Sequence, residues 1–376
     1  MARRAIVLGC GMVGRTIAAD LAADGGLEVA ACDRDPARLE GLDPERIRPI
    51  RAEIGPGRVG ELVRPFDVVA GALASAVGFE VLRAVLQAGK PICDISFMAE
   101  DALQLDALAR EQGVTAVVDC GVAPGMANMA IGMCDADFDS LEDVCYFVGG
   151  LPRIRRWPYE YKAPFAPSDV IEEYTREARM RIGGRQVAKP ALSEPELVHF
   201  EGLGTLEAFN TDGLRSLLTS VDAPNMKEKT LRYPGHAALM RALVDTGLLS
   251  DEPVEIDGLS VRPRALTSKL LFEQWALQPG EPEFTVLRVV CRGLRAGRAE
   301  RYVFELFDQT DERTGQTSMA RTTGFPCAAV CRMLAAGEID APGVLPPEAL
   351  GRRPGVFARI CDELRTRGVQ IRSDYH

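Results

Sequence analysis

Gly9-Cys10-Gly11-Met12-Val13-Gly14 follows directly on the apolar run Ala5-Ile6-Val7-Leu8, and Asp33 ends a second apolar run, Val29-Ala30-Ala31-Cys32. Glycines at this spacing, between a strand and a helix, suit the binding of a pyrophosphate. Gly9 allows the tight turn off the strand. Gly11 removes the Cβ that would keep phosphates away, and Gly14 lets the helix pack closely on the sheet. The helix N-terminus at Met12 and Val13 offers free N–H groups and the positive end of a dipole. Asp33 is positioned to accept hydrogen bonds from a ribose diol, and its carboxylate repels a 2′-phosphate. The pattern predicts a dinucleotide site taking NAD in preference to NADP. Arg34, next in sequence, is an arginine able to stack on adenine or pair with a 2′-phosphate.

Further candidates lie at strand ends, where an open α/β sheet places its ligand. Asp94, Ser96 and Phe97 end the fifth predicted strand, and Asp119, Val122 and Ala123 end the sixth. Ala72 and Leu73, closing the fourth, belong with Val122 to the cofactor side. Asp94 reads either as a general base or as a solvated loop acid.

The elements that must position these residues follow from the pattern. Strands are predicted at 47–54, 67–73, 91–96 and 115–120, with helices at 59–63, 76–88 and 101–112 between them. Continuous apolar runs such as Asp67-Val68-Val69-Ala70-Gly71 mark strands buried on both faces. With the first two strands this predicts a six-stranded doubly wound α/β sheet, a Rossmann domain. After Pro124-Gly125 strands follow strands, at 141–149, 197–200, 229–233, 283–291 and 301–307. The last two are expected to form a hairpin around 293–297 within an antiparallel α+β domain. Helices at 325–334 and 356–364 are expected to return to the first domain. The predicted organisation is a Rossmann domain from 1–122 and 324–376, with a substrate-binding and dimerisation domain, 123–323, inserted.

Composition narrows the function. A length of 376 residues suggests two domains, and 47% hydrophobic with 26% charged residues is ordinary for a globular protein. A net charge of −10, with no basic run interleaved with aromatics, argues against a nucleic-acid surface. No apolar stretch approaches membrane-spanning length. Met1-Ala2-Arg3-Arg4 precedes an apolar run of four residues that ends at Gly9, so no cleavable signal is expected and the cytoplasm is the expected location. The ten cysteines form no CxxC and read as core thiols, Cys327 and Cys331 sharing a helix face; no metal is expected.

Longer motifs carry a resemblance. Asp94-Ile95-Ser96-Phe97, Gly121-Val122-Ala123-Pro124-Gly125-Met126-Ala127-Asn128, Ile171-Glu172-Glu173-Tyr174-Thr175, Thr211-Asp212-Gly213-Leu214, Thr230-Leu231-Arg232-Tyr233-Pro234-Gly235-His236 and Met319-Ala320-Arg321-Thr322-Thr323-Gly324-Phe325 resemble the saccharopine dehydrogenase-like family. Within it they are most similar to the bacterial and archaeal members of lysine 6-dehydrogenase type. In fungal saccharopine reductases an aspartate stands where this chain has Ala123, and an arginine where it has Thr211, beside Asn210. Both of those residues touch the large saccharopine substrate, so their absence implies a smaller one.

The resemblance implies NAD-dependent oxidation of the CH–NH₂ of an amino acid. The expected reaction is deamination of the L-lysine side chain to 2-aminoadipate 6-semialdehyde, which cyclises to piperideine-6-carboxylate. Saccharopine dehydrogenase activity on a secondary amine, or a non-catalytic dinucleotide-binding redox sensor, are the alternatives. A lysine ε-amine has a pKa of roughly 10.4 in water, so burial or a base must remove its proton. His236, one of three histidines, follows Pro234-Gly235 in a predicted loop and is the candidate base with Asp94. Arg232 and Tyr233 suit an α-carboxylate clamp, arginine offering a planar two-pronged donor, or else an interdomain ion pair. Ser96, Phe97, Asn210 and Thr211 complete the predicted substrate side. Trp157-Pro158-Tyr159-Glu160-Tyr161-Lys162 reads as a lid or, preferably, a dimer surface; the expected assembly is a homodimer.

Overall fold

The computed structural model describes residues 3–278 and 280–375; Met1, Ala2, Pro279 and His376 lie outside the described residues. Two compact units divide the chain. One comprises the chain through Ala136 with Met319–Ile371, the other Asp137–Ser318 with the residues from Arg372.

The first unit alternates strands and helices: β1 (Arg3–Leu8), α1 (Met12–Ala22), β2 (Leu27–Asp33), α2 (Pro36–Leu39), β3 (Ile47–Arg51), α3 (Pro56–Val63), β4 (Val68–Gly71), α4 (Ser75–Gln87), β5 (Ile92–Asp94), α5 (Asp106–Glu111), β6 (Thr115–Val117) and α6 (Met126–Asp137). Helix α1 buries Gly14, Ile17, Ala18 and Leu21, the spacing of one helical face. The predicted helix at 101–112 opens as a 3₁₀ turn, Ala102–Leu105, before α5. All four residues of β4 are buried, because helices cover both faces of a parallel sheet.

The second unit contains β7 (Ser140–Pro152), α7 (Pro167–Thr175), β8 (Ala178–Ile182), β9 (Arg185–Lys189), β10 (Glu196–Phe200), β11 (Gly204–Asn210), α8 (Leu217–Ser220), β12 (Asn225–Arg232), α9 (His236–Asp245), β13 (Val254–Ile256), β14 (Leu259–Val261), α10 (Pro263–Trp275), β15 (Glu283–Arg295) and β16 (Arg298–Gln309). The chain then returns through α11 (Ser318–Ala336), β17 (Gly343–Leu345), α12 (Pro347–Gly351) and α13 (Val356–Thr366) to the first unit, and ends in β18 (Ile371–Tyr375).

The first sheet has seven parallel strands in the order β17-β6-β5-β4-β1-β2-β3. The expected six-strand Rossmann order is present, and β17 extends it beyond β6. The second sheet has nine strands along β10-β11-β12-β7-β15-β16-β18, with β8 and β9 attached at β12. It is mixed rather than wholly antiparallel, since β12 runs parallel to β7 over Asn225–Thr230. The predicted hairpin is β15–β16. Its two-residue turn, Ala296-Gly297, has both φ values positive, at 51° and 72°, as a tight hairpin requires. Helices α7, α9 and α10 bury Tyr174, Ala237, Met240 and Trp275 in one apolar cluster with Phe209 of β11.

Candidate active site

In the first unit the glycine turn is built as the pattern requires. Gly9 has φ of +92°, and a Cβ there would stand 2.4 Å from the Ala72 carbonyl oxygen. A Cβ on Gly14 would stand 2.0 Å from the Gly9 carbonyl oxygen and 3.2 Å from Ala72 Cβ. These two glycines are demanded by the protein's own packing, which also draws Ala72 and Leu73 against the turn. Gly11 differs. A Cβ there would meet only the Arg38 guanidinium, at 3.9 Å, so the protein leaves its space open. Helix α1 has no acidic residue in its first turn and no side-chain cap at Gly11. An open space before an uncapped helix N-terminus at Met12 and Val13 fits a pyrophosphate.

Asp33 is buried, and its carboxylate faces inward. One oxygen accepts from the Cys10 N–H at 2.8 Å and the other from the Asp35 N–H at 2.9 Å. The Arg38 guanidinium is 3.7 Å away and 58% exposed, while Arg34 is 75% exposed and pairs with Glu53 at 3.5 Å. The carboxylate therefore braces the glycine turn, and two exposed cations flank it.

Asp94 is buried at the end of β5, where its Oδ1 accepts the Ser96 N–H at 2.6 Å. Gly71 is its register partner on β4, and a Cβ on Gly71 would sit 1.8 Å from Asp94 Oδ2. That glycine, unremarkable in sequence, makes the space for this carboxyl. Burial pushes the Asp94 carboxyl up to about 6, and the charge of nearby Asp119 adds to the rise. Ser96 packs on Gly78 of α4, Phe97 is half-buried, and Asp119 has φ of 52°. Val122 is buried in a turn held by bridges to Gly125, and the Asn128 side chain accepts the Gly125 N–H at 3.2 Å.

In the second unit three of the sequence motifs converge. Arg232, the last residue of β12, is buried among groups from α7 and the 159–161 segment. Its guanidinium donates to Glu173 Oε2 at 2.6 Å, to the Tyr174 hydroxyl at 3.2 Å, to the Tyr161 hydroxyl at 3.4 Å and to the Leu231 carbonyl at 2.9 Å. It also stacks on the Tyr161 ring, 4.4 Å from its centroid. The guanidinium expected to clamp a carboxylate thus already holds one, that of Glu173.

His236 opens helix α9 instead of lying in a loop, with Gly235 as its N-cap at φ of 97°. Its Nδ1 lies 3.0 Å from the Tyr159 carbonyl, which can only accept, so Nδ1 carries the proton. Nε2 then accepts from the Tyr174 hydroxyl at 2.9 Å. The order is fixed throughout: Arg232 donates to Tyr174, Tyr174 to His236, His236 to Tyr159. Burial, reinforced by the Arg232 charge, pulls the imidazole down to about 3. The ring is neutral at physiological pH.

Tyr233 does not join this chain. Its hydroxyl donates to the Pro152 carbonyl at 2.8 Å, and Arg155 stacks on its ring at 4.6 Å. Of the aromatic segment expected at a dimer surface, Trp157 is 82% exposed while Tyr161 is core. Asn210 is buried and donates to Ser193 and Glu194, at 3.1 and 3.2 Å. Thr211 donates to Glu228 Oε2 at 2.6 Å and lies 2.8 Å from the Thr230 hydroxyl.

Glu173, Tyr174 and Glu228 escaped the residue-by-residue reading. Glu173 and Tyr174 were visible only as part of the Ile171–Thr175 motif, and Glu228 carried no signal. Burial, with the charges of Glu173 and Asp212, pushes the Glu228 carboxyl up to about 8 against the bonds from Thr211 and the Gly213 N–H. A carboxyl raised on folding stabilises the fold below its unfolded pKa, near 4.5, and that stabilisation is lost as pH rises through about 8. Glu228→Gln should flatten the decline of melting temperature between pH 5 and 9. An unchanged decline would assign the pH dependence to another group.

Residues 5–117 match the saccharopine dehydrogenase NADP binding domain, and residues 121–369 match the saccharopine dehydrogenase C-terminal domain. The chain belongs to the saccharopine dehydrogenase family. Among its relatives, the mitochondrial alpha-aminoadipic semialdehyde synthase of Bos taurus is 22% identical, covering 98% of this chain and 47% of that protein. Saccharopine dehydrogenase [NADP(+), L-glutamate-forming] of Pyricularia oryzae is 24% identical, covering 66% of this chain and 58% of that protein. The chain spans about half the length of the curated relatives it matches. The solved apo saccharopine dehydrogenase (L-Glu forming) of Saccharomyces cerevisiae has the same fold, with a TM-score of 0.81 over 100% of both chains at 18% identity. As a saccharopine dehydrogenase family member, the chain pairs a glycine turn suited to a nicotinamide dinucleotide with a second unit whose family motifs form one buried polar cluster. No helix among the described residues is long and apolar enough to cross a membrane.

Proposed function

We propose that the protein oxidises the CH–NH₂ of an amino acid, with deamination of the L-lysine side chain as its reaction. One observation carries the choice of a small substrate. Thr211, where the larger-substrate reductases have an arginine, donates to the buried acid Glu228. An acid there offers no cation to the extra carboxylates of saccharopine.

When bound, the dinucleotide accepts a hydride from the amine-bearing carbon, so that R–CH₂–NH₃⁺, NAD⁺ and water give R–CHO, NADH, NH₄⁺ and H⁺. The residues of the chain do the rest. The Gly9–Gly14 turn and the α1 N-terminus hold the pyrophosphate, with Ala72, Leu73 and Val122 flanking the nicotinamide. Asp94 accepts the ammonium proton on its carboxylate, and Ser96 holds that carboxylate in place. Arg232, whose guanidinium is shared with Glu173, Tyr161 and Tyr174, is the proposed donor to the substrate's α-carboxylate. His236 keeps Tyr174 oriented. Residues 1–122 with 324–376 serve the cofactor in this reading, and 123–323 serve the substrate and a homodimer contact through exposed Trp157.

Cofactor choice sets Asp33, whose charge favours NAD, against Arg38, an exposed cation that pairs with Asp33 and Asp35 and would have to turn from them to meet a 2′-phosphate. NAD is the proposed cofactor, with NADP tolerated through Arg38. Arg38→Ala should reduce kcat/KM with NADP roughly tenfold, the loss of one charge-assisted bond, and leave NAD use unchanged. A wild-type protein that uses NADP better would remove Asp33 from this role.

The names of the relatives favour a second reading, a saccharopine dehydrogenase acting on a secondary amine. The deciding experiment offers the protein NAD or NADP with lysine, saccharopine and other amino acids while following the absorbance of reduced cofactor. Turnover with lysine supports the proposal. Turnover with saccharopine alone overturns it in favour of the second reading, and cofactor binding without any turnover leaves a dinucleotide sensor.

A further inference from the structure

Cys93 lies on β5, and Cys327 and Cys331 lie one turn apart on α11; all three are fully buried in the first unit. Their three Sγ atoms lie within 4.8 Å of one another, a convergence of metal-ligating atoms that spacing in the sequence does not reveal. The thiol of Cys120, just after β6, is also buried and lies beside Cys93.

Ordinary core thiols disperse among apolar neighbours, each behaving as a small hydrophobe. Here three sulfurs converge, with the Cys327 and Cys331 thiols also reaching the Cys93 and Val69 carbonyls at 3.7 and 3.8 Å. A metal–sulfur bond of about 2.3 Å in a trigonal arrangement sets its sulfurs about 4 Å apart. The separations in the structure therefore need to shrink by less than about 1 Å to hold an ion. The backbone can accommodate that movement. Pro326, immediately before Cys327, lies inside α11 and has no N–H, so the turn carrying Cys327 lacks one helical hydrogen bond.

We propose that Cys93, Cys327 and Cys331 form a binding site for a thiophilic d¹⁰ metal ion. The donor set selects the chemistry: three soft sulfurs suit Zn²⁺ or Cu⁺ and exclude the oxygen-seeking Mg²⁺ and Ca²⁺. Binding Zn²⁺ through four thiols releases four protons, Zn²⁺ + 4 RSH giving Zn(SR)₄²⁻ + 4 H⁺, and binding Cu⁺ through three releases three, Cu⁺ + 3 RSH giving Cu(SR)₃²⁻ + 3 H⁺. Zn²⁺ needs a fourth ligand and takes it from Cys120; Cu⁺ is satisfied by three. The site borders the amine chemistry, since Asp94 directly follows Cys93 on β5, but ion binding itself requires neither substrate nor dinucleotide.

The full chain, purified under reducing conditions, is titrated with Cd²⁺ as a spectroscopic stand-in for Zn²⁺ and, separately, with Cu⁺. One ion per chain is expected, with a thiolate-to-metal charge-transfer band. Cys331→Ser should weaken binding at least tenfold, whereas Cys145→Ser, in the other unit, should leave it unchanged. Sensitivity to Cys120→Ser identifies the four-thiolate, zinc-like form, and insensitivity identifies the three-thiolate, copper-like form. X-ray absorption on the loaded wild-type protein requires no variant to fold and should show sulfur neighbours alone, at about 2.3 Å. No band with either ion at stoichiometric amounts, an oxygen or nitrogen shell, or equal binding by Cys331→Ser would overturn the site.

Discussion

Gly14→Ala should remove detectable dinucleotide binding and lower the melting temperature by several degrees. The added Cβ would lie 2.0 Å from the Gly9 carbonyl oxygen, and the obstacle is backbone, which no rotamer change can clear. Overpacking of this kind costs about 1–3 kcal/mol. For a unit of this size each kcal/mol is worth roughly 2–4 °C. Gly11→Ala provides the contrast. Its Cβ meets nothing closer than the Arg38 guanidinium at 3.9 Å, so the melting temperature should hold while dinucleotide affinity falls at least tenfold. The two variants separate a glycine required by the fold from one required by the ligand. Equal affinity of Gly11→Ala and wild type, measured by quenching of protein fluorescence, would mean that no phosphate approaches that turn.

Arg232→Ala carries the second large effect. The change strands Glu173, whose partner at 2.6 Å is removed, and leaves the Tyr161 and Tyr174 hydroxyls without their donor. Breaking a buried ion pair from one side typically costs about 3–5 kcal/mol. The second unit should therefore melt well below wild type. Any folded fraction at low temperature should show a strongly raised KM for the amino acid with dinucleotide affinity intact. Adding Glu173→Gln should restore part of the stability by neutralising the stranded acid, without restoring KM. Recovery of both would make Arg232 a purely structural residue. His236→Ala should lower turnover without moving the pH profile, because an imidazole held near 3 does not titrate between pH 5 and 9.

Much of the first unit was legible because its signals are local. Continuous apolar runs, glycine punctuation and a strand-end acid all lie within a few residues of one another, and they mark β1, α1, β2 and β4 directly. Strand β17 was missed because three residues, Gly343–Leu345, carry no periodicity of their own. In the second unit the β15–β16 hairpin was readable from its alternation, whereas the parallel pairing of β12 with β7 joins residues some eighty positions apart. The site divides similarly. Arg232 and His236 were identifiable as residues, but their partners lie 59 and 62 positions away on α7, a distance over which sequence carries no contact information. Burial adds to two of the site residues what the pattern does not carry: Asp33 also braces its own turn, and the His236 ring stays neutral. Pro234-Gly235 read as a loop because such pairs usually make turns. Here the left-handed glycine instead starts a helix.

The first unit's two-part construction also orders its synthesis. Strand β17, which pairs with β6, and helices α11 to α13 all lie from residue 318 onward. The intervening segment, 137–318, is 182 residues long (318 − 136), so a ribosome adding roughly 5–20 residues per second needs about 10–40 s to make it. During that interval the nascent sheet lacks its seventh strand, and the surface that Cys327, Val330 and Cys331 later cover is bare. A nascent chain stalled there would expose parallel-strand apolar surface and be a natural client for a chaperone, and the unit becomes whole only when its final stretch leaves the exit tunnel.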